Sequence, residues 1–139
     1  MNGSAAGAEL LGRVAERRVL IDSALVARFA DLVGDHNPLH VDATKAAAGR
    51  FGRPIAHGML VGSLFSSILA TELPGPGTIY LSQTLVFRRP VPVGIEVIAR
   101  VTCTAVDAEA GKATLATTIL DEGEVICATG EALVLLPPV

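Results

Sequence analysis

The stretch Gly58-Met59-Leu60-Val61-Gly62-Ser63-Leu64-Phe65-Ser66-Ser67-Ile68-Leu69-Ala70-Thr71-Glu72-Leu73 constrains how the rest of this chain is arranged. Wound as a helix, it places Met59, Leu60, Val61, Leu64, Phe65, Ile68 and Leu69 on most of its faces, and a helix apolar nearly all round is a buried one. Pro74-Gly75-Pro76-Gly77 stops it. Gly, Ser, Thr and Glu interrupt the run, and it falls short of the roughly 18 unbroken apolar residues of a membrane span. The reading is therefore a helix inside a protein core, with no membrane partner.

The chain beyond this stop must cover that helix. Residues 78–87, 95–106, 112–120 and 125–136 are rich in β-branched residues and are separated by Pro90-Val91-Pro92-Val93-Gly94, Glu109-Ala110-Gly111 and Asp121-Glu122-Gly123. These are turn compositions, and such short connections join antiparallel strands. An antiparallel sheet curled round the long helix, an α+β architecture, meets the need. One curved sheet covers only one side, so a second identical subunit is expected to hide the remainder, giving a homodimer.

Upstream, residues 14–21 read as a first strand. Asp22 or Ser23 can cap a helix carrying Leu25, Val26, Phe29, Leu32 and Val33 at helical spacing, with Gly34 placed to end it. A turn-rich segment, Asp35-His36-Asn37-Pro38-Leu39-His40, leads to an Ala-rich helix around 43–49. Residues 1–9 are expected to form a loose tail, and 10–139 a single domain.

The bulk properties agree with a folded domain. Of 139 residues 50% are hydrophobic and 18% charged, which argues against disorder. Trp is absent and only 4% of residues are aromatic, so the core must be built from Ala, Val, Leu and Ile. A net charge of -3 gives no general attraction to nucleic acid. Cys103 and Cys127 form no CxxC pair and no zinc-type spacing with the histidines, and read as two buried thiols. Residues 1–9 show neither a basic nor an apolar leader region, so a cytoplasmic location is expected. No P-loop, dinucleotide glycine fingerprint, G-x-S-x-G elbow or EF-hand loop is present, and no cofactor is expected.

The residues able to do chemistry gather between Asp35 and Gly58. Pro38 fixes its own φ and moves Asn37 out of the helical region, so the hexapeptide must turn. That turn can bring the carboxylate of Asp35 and the imidazole of His40 to one point, as acid–base chemistry at neutral pH requires. Caps and hydrogen-bonded structural histidines use the same residue types. A metal reading rests on His36 and His40 four apart beside Asp35 and Asp42, but it needs the continuous helix that Pro38 forbids. In Arg53-Pro54-Ile55-Ala56-His57-Gly58-Met59-Leu60 the buried helix begins at a glycine. Its first N–H groups have no partner within the helix and suit an oxygen that gains negative charge. A tight loop-to-helix join capped by His57 is the structural alternative.

These two motifs, with His57 seventeen residues after His40, resemble those of the MaoC-like (R)-specific enoyl-CoA hydratases. The resemblance runs from about Phe29 to Val106 and takes in Ile79-Tyr80-Leu81-Ser82-Gln83 and Phe87-Arg88-Arg89-Pro90-Val91. It implies the hot-dog fold, a central helix wrapped by an antiparallel sheet, and reversible hydration of trans-2-enoyl-CoA to the (R)-3-hydroxyacyl thioester. It further implies Asp35 and His40 as the catalytic pair and the Gly58 N–H as the oxyanion contact. Ser66 would sit beside the pair in a supporting role, with Asn37 and His57 as further supporting candidates. Apart from the resemblance, Arg50, Arg53, Arg88 and Arg89 are candidates to contact CoA phosphates, Arg88 and Arg89 foremost, although surface arginines mostly serve solubility. His36 is an additional ionisable group beside the pair.

Three other activities share this fold. A dehydratase acting on carrier-protein thioesters would use the same residues. A hot-dog thioesterase would carry a carboxylate on or near the central helix, where only Glu72 lies, at the end remote from Gly58. A non-catalytic acyl-thioester-binding subunit should lack a complete Asp/His pair.

Overall fold

The computed structural model describes residues 7–138. Residues 1–6 of the expected tail lie outside it, and Ala8–Leu10 form a 3-10 turn that buries Leu10. Five strands, β1 (Val14–Ile21), β2 (Ile79–Phe87), β3 (Ile95–Asp107), β4 (Lys112–Leu120) and β5 (Ile126–Leu135), make one sheet in the order β1-β3-β4-β5-β2. Every neighbouring pair is antiparallel. Four helices, α1 (Ser23–Val33), α2 (Pro38–Val41), α3 (Ala43–Ala47) and α4 (Gly58–Thr71), fill the chain between β1 and β2.

This is the α+β hot-dog arrangement anticipated for the chain, with β1 added at the sheet edge. On β4, Ala113, Leu115, Thr117 and Ile119 are buried and the residues between them are not, the period of two of a one-sided strand. Val97, Ala99, Val101 and Cys103 do the same on β3. Against this surface α4 presents Leu60, Val61, Phe65, Ile68 and Leu69. Burying a side chain such as Phe65 or Ile68 contributes about 1.5–3 kcal/mol. The small residues Ala99, Ala113, Ala128 and Ala132, all buried, line the sheet beneath these larger ones.

The long helix is not covered on all sides within one chain. Met59, Ser63, Ser66 and Ala70, spaced to share one face, are exposed along α4. At the sheet edge Ile79, Leu81 and Val86 are exposed as well.

The helices before α4 are defined by their caps. Asp22 accepts a hydrogen bond from the Leu25 N–H at 2.9 Å, and Gly34 ends α1 at φ 80°. Val26 and Ala30 are buried on α1, but Leu32 and Val33, which share its periodic pattern, are exposed. The Asp35–His40 segment is more regular than a turn. Pro38 occupies the start of α2, a single helical turn capped by Asn37, whose Oδ1 accepts from the Leu39 N–H at 3.1 Å. Asp42 closes α2 and caps α3 through the Lys45 N–H at 3.0 Å.

Candidate active site

The segment between α3 and α4 ties the two motifs together. Pro54, Ile55 and Ala56 run beside Val91–Val93: the Ala56 N–H donates to Val91 O at 2.8 Å and the Val93 N–H to Pro54 O at 3.0 Å. Ile55 also grips α2, since its N–H donates to Leu39 O at 3.2 Å and its carbonyl accepts from His40 Nδ1 at 2.6 Å. A carbonyl only accepts, so the proton of neutral His40 sits on Nδ1 and Nε2 carries the lone pair.

His57 precedes α4 and is 2% exposed. Its Nε2–H donates to the main-chain oxygen of Asp35 at 2.9 Å. Its ring lies 4.0 Å from that of His40, centroid to centroid, at 33°. One ligand-type atom from each of Asp35, His40 and His57 falls within 4.8 Å of the others. Such a trio could hold a cation, although each histidine already spends one nitrogen on a carbonyl. The Asp35 carboxylate accepts from the Asn37 N–H at 3.1 Å. Asp35 is exposed and His40 half-buried, so the pair is open to a water molecule.

His57 makes no side-chain cap, and the first N–H accepted within α4 is that of Val61, by His57 O at 3.2 Å. The N–H groups of Gly58, Met59 and Leu60 therefore lack helical partners, and the helix dipole adds partial positive charge there. A cavity of about 410 Å³ opens beside them, lined by His40, Phe51, Gly58, Phe87, Arg88 and Arg89 among others. Cys127 borders the same cavity, and burial pushes its thiol up from the usual range.

The anticipated residues thus separate into groups. Asp35, His40 and His57 cluster at the start of α4 next to Gly58. His40 and Gly58 line the cavity with Arg88 and Arg89, while Asp35 and His57 stand behind His40, outside that lining. Asn37 contributes as the cap of the turn that carries His40. Ser66 lies about 12 Å further along the axis of α4, on the open face, and does not line the cavity. His36 points away: its Nε2 pairs with Asp31 Oδ1 at 2.8 Å on the surface. Phe51 and Phe87 enter the site only through the fold, because nothing in their local sequence distinguishes a cavity wall from a core position.

The family model for the MaoC like domain matches residues 8–124. The chain belongs to the MaoC-like family. Within it, the chain is 49% identical over 127 residues to an (R)-specific enoyl-CoA hydratase of Aeromonas caviae, covering 91% of this chain and 95% of that protein. It is 44% identical over 117 residues to a 3-hydroxybutyryl-CoA dehydratase of Methylorubrum extorquens, covering 84% and 74%. A solved structure of the (R)-hydratase from A. caviae involved in PHA biosynthesis superposes with a TM-score of 0.92 at 48% identity, over 95% of this chain and 100% of that one. This MaoC-like chain carries the acid, the imidazole and the unpaired helix N-terminus together at one end of its central helix.

Proposed function

We propose that the chain is an (R)-specific enoyl-CoA hydratase, adding water reversibly across the double bond of trans-2-enoyl-CoA. The observation that carries this reading is the joint placement of Asp35 and His40 beside the unpaired N–H groups of α4. Water adds at Cβ only when electrons can move into the thioester carbonyl. The Gly58 N–H and the helix N-terminus stabilise the oxygen that becomes negative. Asp35 and His40 hold the water between them, take a proton from it as its oxygen bonds to Cβ, and return a proton to Cα. Nε2 is the working nitrogen of His40, because Nδ1–H is held by Ile55 O. Run backwards, the same steps dehydrate an (R)-3-hydroxyacyl thioester.

Arg88 and Arg89 beside the cavity suit the phosphates of CoA. The exposed face of α4 and the apolar edge at Ile79 and Leu81 suit a second copy of the chain, and we assign the working form as a homodimer. The free, buried thiols of Cys103 and Cys127 fit a reducing compartment, the cytoplasm. No helix among the described residues is long and apolar enough to cross a membrane.

The test is loss of the ultraviolet absorbance of crotonyl-CoA on adding purified protein, with chiral analysis of the product. Formation of the (R)-3-hydroxy thioester, abolished by Asp35→Asn, supports the reading. Release of free thiol without hydration would assign the site to thioester hydrolysis instead.

A further inference from the structure

We infer that His57 is a positioning residue that holds both members of the acid–base pair: its Nε2–H fixes the main chain of Asp35 while its ring backs the imidazole of His40. This rests on the hydratase reading of the same site.

His57 is the buried centre of this cluster. At 2% exposure it is one of two polar residues in the buried core, the other being Thr117, among the described residues. A buried polar side chain needs a reason to be there, because desolvating it costs free energy unless its groups are paired. The pairing of His57 is incomplete. Nε2 donates to Asp35 O at 2.9 Å, while Nδ1 is buried without a partner. An apolar residue would avoid that unpaired nitrogen. What it could not supply is the donor to Asp35, and that donor is the one polar contact the imidazole makes.

The other contacts place the ring as a wall. Phe29 of α1 lies against it, centroids 4.9 Å apart at 53°, and His40 lies against it at 4.0 Å and 33°. His40 is thus fixed in two ways: Ile55 O sets which nitrogen carries the proton, and the His57 ring limits where Nε2 can lie. Asp35 comes directly after a glycine of positive φ, Gly34 at 80°, and its residue is exposed, so no burial of its side chain holds it. The hydrogen bond from His57, anchored at the first turn of the buried helix, links that residue to the body of the fold.

The geometry dictates which substitutions separate this role from filling space. Glutamine places its Nε2 about where the imidazole has its own, so His57→Gln keeps the donor to Asp35 O and loses the ring. Phenylalanine keeps a ring against Phe29 and His40 and loses the donor. Removing the donor moves the Asp35 carboxylate without touching substrate. A misplacement of about 1 Å costs on the order of 10²-fold in rate.

The experiment measures kcat and KM on crotonyl-CoA for His57→Gln and His57→Phe, alone and combined with Asp35→Asn. It also tracks the amide resonances of Asn37 and Leu39, which are hydrogen-bonded within the Asp35–His40 turn. In His57→Phe, kcat should fall about 10²-fold with KM nearly unchanged and both amides should shift or broaden. His57→Gln should recover at least tenfold of that loss, and His57→Phe should cost little more in the Asp35→Asn background. Equal losses with and without Asp35, or Phe and Gln variants equally impaired with undisturbed amides, would overturn the assignment. Should the parent protein fail to hydrate enoyl-CoA, the hydratase reading falls, while the two amides still decide whether His57 holds the turn.

Discussion

The ring of Phe87 rests on the backbone of Gly58: a Cβ built at position 58 would come 3.1 Å from Phe87 Cζ and 3.2 Å from Cε1. The glycine is required here for a close approach, with no positive φ involved. Because Phe87 is half-exposed, Gly58→Ala should leave the fold intact by pushing the ring outward, and so deform the wall of the cavity proposed to receive the thioester oxygen. Hydration of crotonyl-CoA should fall by about 10²-fold in kcat/KM. Gly58→Ala combined with Phe87→Leu, which removes the opposing ring edge, should regain part of the loss. An unchanged rate in the single variant would separate Gly58 from substrate.

Asp35 and His40 should each be worth about 10²–10⁴ in kcat if both act as acid–base groups. The checks are Asp35→Asn and His40→Ala, compared at equal folded fraction by circular dichroism. The double variant should be hardly slower than the worse single one, since the pair acts as a unit. His36→Ala, which removes only a surface pair with Asp31, should change the rate less than about threefold, in line with the small worth of exposed pairs.

Two glycines packed against β2, Gly62 and Gly130, should behave differently under substitution. At Gly62 an added Cβ meets the end of the Leu85 side chain at 2.7 Å, whereas at Gly130 it would lie 1.8 Å from the main-chain oxygen of Thr84. A side-chain tip can turn; a strand backbone in the β2–β5 pairing cannot. Gly62→Ala should cost about 1–3 kcal/mol, much of it recovered with Leu85→Val, and Gly130→Ala should cost more than about 3 kcal/mol. Urea unfolding at fixed m-value measures both.

Burial raises the thiols of Cys103 and Cys127 above the ordinary range. Both should be unreactive toward an aromatic disulfide reagent at neutral pH in the folded protein and react fully once it is unfolded. Above the usual thiol range the unfolded chain releases protons that the folded chain keeps. The folded state then binds more protons, and stability must fall as pH rises through that window. A melting midpoint that drops in Cys103→Ala/Cys127→Ala as steeply as in the parent across alkaline pH would assign the loss to other groups.

Ala70 sits on the open face of α4, remote from Gly58. Ala70→Glu should therefore cost the isolated chain little but place a carboxylate in the interface of the homodimer proposed above. Sedimentation should show dimer for the parent and monomer for the variant; dimer in both would move the interface elsewhere.

Much of this fold was legible from one helix and its stop. The run 58–73 with Pro74-Gly75-Pro76-Gly77 behind it, and the alternating strands after it, required a one-sided antiparallel sheet, and β1, α1 and β4 fall where caps and periodicity put them. That a single sheet would leave part of α4 uncovered followed from the same reasoning, but which part did not: an apolar count does not single out a face, and Ser63, Ser66 and Ala70 are too small to mark one. At the site, the approach of Asp35 to His40 was implied by Pro38, but the contacts of His57 were not. They depend on Asp35 folding back onto the start of α4, twenty-two residues on, a long-range contact that local pattern does not encode.

Between Asp31 and Arg53 the only buried residue is Ala46. The chain that delivers the carboxylate and the imidazole is thus fastened by caps and a few polar contacts, while the sheet and α4 are fastened by apolar area. Segments with little buried area open before the whole molecule does. Heat or mild denaturant should therefore silence the protein first by releasing this segment, with the sheet still standing. Its working lifetime should then be set by a local event, one that strengthening the core alone would not delay.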